Sequence, residues 1–391
     1  MPAYLDHAAT TPMRASAIAA LTDAVSHTGN PSSLHTAGRA ARRRVEESRE
    51  QLAAALGAHP SEVIFTSGGT ESDNLAVKGA LWASAALDPA RRRLVVSGIE
   101  HHAILDPAEH LVGTGQATLT VVEPDGQGLI TAGALTPAVD TDVALVSVMW
   151  ANNEIGTIAP IPELAEIAHR SGAAMHTDAV QAVGQVPVNF ADSGVDLLSV
   201  SGHKIGGPVG VGALLVRRAA RLTALIHGGG QERTLRSGTV PTAFVHAFAV
   251  AAAEAVEQRA NEAQRLMTLR DRLIHGVLEL AVGATVTGPW AEGNVTDRLP
   301  NNVHLLIPGV DGEALLFLLD AAGIACSSGS ACTAGVARVS HVVRALGIPS
   351  DEARGALRLT LGHTSSDADV EALLRALPEA VTRARAARGV A

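Results

Sequence analysis

Lysine is scarce in this chain, and one of the lysines occupies a position where its amine could take part in a reaction. Only two lysines are present, Lys78 and Lys204. Lys204 ends the sequence Ser201-Gly202-His203-Lys204, directly after an apolar run that predicts a strand, whereas Lys78 lies inside a helical pattern. A lysine on a tight turn at the carboxyl end of a strand points into the crevice where open α/β sheets bind ligands. We therefore predict that Lys204 carries any amine chemistry.

A carboxylate follows another predicted strand. Asp178 ends the apolar run before it, and the interval to Lys204 has room for one crossover and the next strand. Such a pair is what pyridoxal phosphate needs, because its aldehyde bonds a lysine while a carboxylate keeps the pyridinium nitrogen protonated. A helix cap is the alternative role for Asp178.

A glycine-bearing turn between a strand and a helix could bind phosphate. Its sequence is Thr66-Ser67-Gly68-Gly69-Thr70-Glu71-Ser72. Two glycines let the backbone approach an anion, and the helix N-terminus with its hydroxyls supplies donors. The Gly-x-Gly-x-x-Gly and Gly-x4-Gly-Lys-Ser/Thr motifs are both absent, which disfavours a dinucleotide fold and excludes a P-loop.

A histidine pair follows a further predicted strand. His101 or His102 could stack on a cofactor ring or move protons, because imidazole titrates near neutral pH. A metal site would need three or four ligands at known spacing. No partnering set of Cys and His is visible, so we expect no metal.

The two cysteines differ in their surroundings. Cys326 follows an apolar run, which favours burial. Cys332 lies within Ser328-Gly329-Ser330-Ala331-Cys332-Thr333-Ala334-Gly335, a small polar segment that we expect to be mobile and exposed. A thiolate in such a segment is a candidate nucleophile.

The amino-acid composition limits which other classes of protein this chain could belong to. Acidic residues outnumber basic ones, 39 to 30, and no basic block stands out, which disfavours nucleic-acid binding. No secretory signal and no apolar run of membrane-spanning length are visible. Two cysteines offer no disulfide framework, so a cytoplasmic location is the expectation.

Seven short apolar runs alternate with helical patterns up to about residue 216, which predicts an α/β domain with a mainly parallel sheet. After about residue 239 a long helical region leads into an α+β-like end. We predict a large domain at 13–255 and a smaller α+β domain at 256–391 that is joined by residues 1–12. No internal repeat is present.

These motifs, in this order, resemble the NifS/IscS-like cysteine desulfurases of the class V aminotransferase group. The resemblance covers nearly the whole chain. The further segments that carry it are Tyr4-Leu5-Asp6-His7-Ala8-Ala9-Thr10-Thr11-Pro12, Asn30-Pro31-Ser32-Ser33, Asn152-Asn153-Glu154-Ile155-Gly156, Gly228-Gly229-Gly230-Gln231-Glu232-Arg233, Arg236-Ser237-Gly238-Thr239 and Leu357-Arg358-Leu359-Thr360-Leu361-Gly362. The resemblance implies a fold-type I PLP-dependent transferase whose large domain has a seven-stranded sheet.

The resemblance also implies roles for cofactor binding. Lys204 would bond the aldehyde of pyridoxal 5'-phosphate, Asp178 would pair with the ring nitrogen, and Gln181 with the ring hydroxyl. His101 would stack on the ring and assist proton transfer. The residues implied for the phosphate are Gly69, Thr70, Ser201, His203 and, from the second subunit of a homodimer, Thr239.

The resemblance implies a reaction as well. Asn153 and Arg358 would hold the carboxylate of L-cysteine, since a planar guanidinium suits bidentate binding. Cys332 would take the sulfur as a persulfide, leaving L-alanine. A selenocysteine lyase or another class V transferase is the alternative, because it shares Lys204 without needing Cys332.

The sulfur acceptor stays open at this stage. An iron–sulfur scaffold and a tRNA-thiolation protein are both candidates. Many relatives carry Glu-Pro-Ser-His-Val where this chain has Arg338-Val339-Ser340-His341-Val342, and its tail is short. Both departures bear on the choice of acceptor.

Overall fold

The large α/β part of the molecule is built from the strands and helices that precede residue 217. The structure, a computed structural model, describes residues 2–329 and 339–389. After β1 (Ala3–Tyr4), the elements of this part are α1 (Ala15–Val25), α2 (Thr36–Leu56), β2 (Val63–Thr66), α3 (Gly69–Leu87), β3 (Arg93–Ser97), α4 (His102–Gly113), β4 (Thr118–Val122), α5 (Ala132–Leu135), β5 (Val143–Ser147), α6 (Ile161–Arg170), β6 (Ala174–Asp178), α7 (Phe190–Ser193), β7 (Leu197–Ser201) and β8 (Gly212–Val216).

Seven of these strands form one sheet in the order β2-β8-β7-β6-β5-β3-β4. Neighbouring strands from β7 to β4 are parallel, and β8 runs antiparallel to both β7 and β2. The inner strands are buried along almost their whole length because helices cover both faces of the sheet. Parallel pairing brings the carboxyl ends of β3, β5, β6 and β7 to one edge.

The C-terminal part begins with a helix that is much longer than its neighbours. Its elements are α8 (Thr242–Glu279), β9 (Thr285–Val286), β10 (Asn302–Leu306), α9 (Gly312–Ala321), β11 (Ile324–Ala325), α10 (His341–Ala345), α11 (Ser350–Ala353), β12 (Ala356–Thr360) and α12 (Asp367–Arg388). β9, β10 and β12 form an antiparallel sheet in the order β12-β10-β9, and β1 pairs in parallel with β11.

Two large apolar clusters pack on different stretches of α8. One contains apolar residues from one face of β5 to β8 and reaches Ala255, while the other contains Ala3, Leu5 and residues from Leu266 onward. The N-terminal segment therefore packs with the C-terminal sheet although it is distant in sequence. Because α8 runs through the proposed boundary at residue 255 without a break, the domain limits of 13–255 and 256–391 stay a prediction.

Candidate active site

A cavity of about 520 Å³ opens where the carboxyl ends of the large sheet face β12. It brings together residues from both parts of the chain and from the N-terminal segment. Ten of the predicted site residues line it: Gly69, Thr70, His101, Asn153, Asp178, Gln181, Ser201, His203, Lys204 and Arg358.

Lys204 lies at the end of a single 3-10 turn that follows β7. Its Nζ donates hydrogen bonds to the carbonyl oxygens of Ala8 at 2.5 Å and Ala9 at 2.9 Å. Burial and the Arg358 guanidinium lower the pKa of Lys204 to about 8, against the opposing effect of Asp178 and Asp6. The amine can therefore lose its proton close to neutral pH, as a nucleophilic or basic lysine must.

Asp178 ends β6 and is almost fully buried. One carboxylate oxygen accepts a hydrogen bond from the amide of Val180 at 2.8 Å. Burial raises the pKa of Asp178 to about 6, while that amide and Lys204 lower it. Asp178 is therefore mostly ionised at neutral pH.

Two more buried carboxyl groups interact electrostatically with Asp178. Burial raises the pKa of Glu100 to about 8, against hydrogen bonds from the Ser97 hydroxyl at 2.5 Å and the Met149 amide at 2.7 Å. Burial also raises the pKa of Asp73 well above its usual range, and the Asp178 carboxylate adds to this. Glu100 therefore holds its proton at neutral pH, and the raised pKa of Asp73 favours its protonated form beside the Asp178 carboxylate.

His101 forms the N-cap of α4 and faces the cavity. Its Nδ1 accepts a hydrogen bond from the Ala103 amide at 3.1 Å, which assigns the proton of the neutral ring to Nε2. Burial by the surrounding protein and, as the second cause, the Lys204 ammonium lower the pKa of His101 to about 4. The ring nevertheless has an exposed face that opens to the cavity. His101 is therefore a neutral donor through Nε2 at physiological pH.

The turn between β2 and α3 packs tightly on β8. A Cβ atom at Gly212 would stand 2.7 Å from the Cα of Gly68, and one at Gly69 would stand 3.0 Å from the Val180 side chain. Gly68 also has φ 151°, which disfavours a side chain there. The first amides of α3 have no acceptor within the helix, so they can bind an anion beside Ser201.

Arg358 reaches the opposite wall of the cavity from β12. Its Nη2 pairs with Asp6 Oδ1 at 2.9 Å, and its Nη1 donates to the carbonyl of Asn153 at 3.1 Å. Among the described residues, no partner lies within hydrogen-bonding distance of its buried Nε. These two contacts fix the position of the Arg358 side chain, which still has N–H groups that can bind a carboxylate.

Two further predicted site residues, Gln181 and His203, contact the N-terminal segment. The side-chain amide of Gln181 donates to the Ala8 carbonyl at 3.0 Å, and His203 Nδ1 lies 3.2 Å from Thr10 Oγ1. Burial and Lys204 lower the pKa of His203 to about 4. The segment around Ala8 thus contacts Lys204, Gln181 and His203 together.

Two predicted residues are not brought to this cavity by the described structure. Thr239 is exposed in the segment before α8 and does not line the cavity. Cys332 lies outside the described residues. Cys326 is half-buried at the end of β11, where burial and the Asp6 and Asp320 carboxylates raise the pKa of its thiol to about 12.

The sequence did not single out the wall formed by Glu154, Ser340, His341 and Arg344. Ser340 caps α10 and donates to Glu154 Oε2 at 2.5 Å, while burial raises the pKa of Glu154. The sequence did contain a signal for Glu154, because this residue lies within the Asn152-Asn153-Glu154 segment that carries the family resemblance. The described residues contain no group of three or more His, Cys, Asp or Glu that could hold a metal ion.

Comparison with known proteins places the chain in a family. Residues 3–373 match the class-V aminotransferase family. The chain is 54% identical over 387 residues to a protein named IscS-like cysteine desulfurase from Mycobacterium tuberculosis, and the match covers 98% of both. This chain belongs to the class-V aminotransferase family.

Solved structures agree with this assignment. A structure described as a NifS-like protein has a TM-score of 0.90 and 33% identity, covering 98% of this chain and 100% of that one. A structure of SspA in complex with cysteine has a TM-score of 0.78 and 32% identity, covering 92% of this chain and 98% of that one. The predicted family and the predicted α/β fold with a seven-stranded sheet are confirmed. In the part of the chain that the structure describes, no helix is both long and apolar enough to span a membrane.

Proposed function

We propose that this protein is a pyridoxal-phosphate-dependent cysteine desulfurase that moves sulfur from L-cysteine to Cys332 and releases L-alanine. One observation carries the proposal. Lys204 and Asp178, on neighbouring strand ends, share a cavity with Arg358, which approaches from the C-terminal sheet. The similarity to cysteine desulfurases over nearly the full chain supports the same activity.

The residues of the cavity fit the cofactor. Lys204 would hold its aldehyde, Asp178 its ring nitrogen and Gln181 its ring hydroxyl. The turn at Gly69 leaves a cradle that a Cβ would fill, and helix-terminal amides face it. When bound, the cofactor supplies an electron sink for carbanion chemistry. The residues proposed for the phosphate are Gly69, Thr70, Ser201, His203 and the second subunit's copy of Thr239.

The chain itself would bind the substrate and move its protons. Arg358, held in place by Asp6, would bind the substrate carboxylate together with Asn153. Lys204 can accept a proton near neutral pH because its pKa is lowered to about 8. His101 would donate through Nε2 toward the reacting atoms and would stack on the ring.

Sulfur transfer would follow at Cys332. Its thiolate attacks the substrate sulfur, so that an S–S bond forms and the Cβ–S bond breaks. The electron pair stays with the substrate carbon, which takes up a proton and leaves as alanine. Cys326 does not compete for this role, because its pKa near 12 keeps it a thiol.

The proposal includes partners and location. The active unit would be a homodimer, since Thr239 lies away from the cavity of its own chain. Its location would be the cytoplasm. The persulfide would pass to an acceptor protein, either an iron–sulfur scaffold or a tRNA-thiolation enzyme.

A pair of cysteine variants tests the activity. The purified protein is given L-cysteine, and alanine and protein persulfide are measured for the wild type, Cys332→Ala and Cys326→Ala. We expect Cys332→Ala to lose persulfide and at least 99% of alanine release, on the order of the loss when a nucleophile is removed, while keeping the visible band of bound cofactor. Cys326→Ala is the matched control and should retain both products. Full alanine release by Cys332→Ala would refute the proposal.

A further inference from the structure

An acidic residue stands at the turn where a phosphate would bind. Glu71 lies in the first turn of α3, directly after Thr70, which lines the cavity. A carboxylate at a helix N-terminus is stabilised by the helix dipole. The same charge repels a phosphate that binds to the first amides of that helix. Burial raises the pKa of Glu71, but hydrogen bonds from Arg236 and Ser67 outweigh it and lower the pKa overall. Glu71 is therefore ionised at neutral pH.

Two contacts explain how this charge is tolerated. Arg236 Nε donates to Glu71 Oε1 at 2.9 Å, and its Nη2 lies 3.4 Å from Oε2. The amide of Ser67 donates to Oε2 at 2.7 Å. The side chains of Arg236 and Glu71 are 17% and 14% exposed, so solvent screens this pair less than a surface pair. Glu71 thus fixes the start of the turn while Arg236 compensates its charge.

Arg236 is itself held by an ordered loop, which we define as residues 228–239. The amide of Glu232 donates to the Arg236 carbonyl at 2.9 Å, and the amide of Gly238 donates to Gln231 Oε1 at 2.8 Å. Thr234 adopts φ 63°, a left-handed conformation that is uncommon for a β-branched residue. The 228–239 loop therefore presents Arg236 to Glu71 in one defined geometry.

We propose that Arg236 is a positioning residue for the cofactor phosphate, which acts by neutralising Glu71 and through Glu71 holds the turn at residues 67–70. The inference rests on the proposed function, because it requires a phosphate-bearing cofactor in this cavity. It assigns to the 228–239 loop a role within its own subunit.

The affinity of the apoprotein for pyridoxal phosphate measures this role without any turnover. Apoprotein is titrated with pyridoxal phosphate and, separately, with pyridoxal, which lacks the phosphate, and binding is followed by visible absorbance. We expect Arg236→Gln to raise the dissociation constant for pyridoxal phosphate about tenfold, as one uncompensated charge near a dianion does. The dissociation constant for pyridoxal should stay within about twofold of wild type, since pyridoxal carries no phosphate for Glu71 to repel.

A double variant separates charge compensation from a merely structural role. Glu71→Gln combined with Arg236→Gln should return the affinity to within about threefold of wild type, because the repelling charge is then gone. Arg236→Lys should retain most of the affinity. Arg233→Gln, which removes the same charge from an exposed position of the same loop, is the control and should leave the affinity unchanged.

Three results would overturn the inference. They are a wild-type affinity in Arg236→Gln, a double variant that binds no better than Arg236→Gln, and equal losses for pyridoxal phosphate and pyridoxal. If Arg236→Gln fails to fold, Arg236→Met, which also removes the charge but keeps an unbranched side chain, replaces it in the same titrations with the same expected loss. A wild-type protein that binds no pyridoxal phosphate would instead refute the proposed function.

Discussion

The ion pair between Arg49 and Glu232 gives a prediction about stability. Both Nη atoms of Arg49 contact Glu232 oxygens at 2.8 Å, and the amide of Phe65 donates to the same carboxylate at 2.9 Å. The two side chains are only 4% and 1% exposed. The substitution Glu232→Gln keeps the shape but removes the buried counter-charge of Arg49 and turns an amide N–H group toward its guanidinium. The remaining carboxylate, Glu46 at 3.3 Å from Arg49 Nε, is 50% exposed and compensates the charge less well.

The magnitude follows from this burial. Breaking a buried pair by removing one partner costs about 3–5 kcal/mol. A cooperative unit of about 250 residues has an unfolding entropy of about 0.5 kcal/mol/K. We therefore expect Glu232→Gln to lower Tm by about 6–10 °C, as measured by thermal unfolding followed by circular dichroism.

A solvent-exposed pair in the same chain is the control. Asp142 accepts two hydrogen bonds from Arg93 Nε at 3.1 and 3.0 Å and one from Nη2 at 2.7 Å, but its side chain is 49% exposed. Asp142→Asn should cost at most about 1 kcal/mol, or about 2 °C. The reasoning is refuted if Glu232→Gln shifts Tm no more than Asp142→Asn does.

Two further predictions concern reactive side chains. Labelling of Lys204 in the apoprotein by an amine-reactive reagent, followed by mass spectrometry with Lys78 as the reference site, should reach half its maximum near pH 8, because burial and Arg358 lower the pKa of Lys204. Labelling that rises only above about pH 10, the ordinary lysine value, would contradict this. Alkylation of Cys326 at neutral pH should be about a thousandfold slower in the folded protein than in urea, because the raised pKa leaves little thiolate. Equal rates in the two states would show that the thiol is accessible and ionises normally.

Local sequence patterns already indicate much of the site, because its chemistry lies at strand ends. Lys204 and Asp178 each follow an apolar run, and the carboxyl ends of neighbouring parallel strands meet at one edge of a sheet. The glycine turn before α3 is indicated in the same way, since a strand, two glycines and a helix are consecutive in sequence. Cys326 is half-buried, so the burial that its preceding apolar run predicts is met only in part.

Contacts between distant segments could not be predicted in this way. Local periodicity does not show that β8 inserts antiparallel between β2 and β7, or that β1 pairs with β11. Register and strand order depend on which apolar faces can be buried together, and that is a property of the whole chain. The carbonyls of Ala8 and Ala9 therefore reach Lys204 only through the tertiary fold.

Charge states are also decided by the fold. The sequence shows Asp73, Glu100 and Asp178 as three ordinary acids. Packing buries all three near one another and raises the pKa of each, to about 8 for Glu100 and about 6 for Asp178, so that at neutral pH Glu100 keeps its proton while Asp178 is mostly ionised. The sequence by itself determined which residue types stand at the strand ends, because local patterns define those ends. Only the tertiary structure decided which of them are ionised, since desolvation depends on neighbours from every part of the chain.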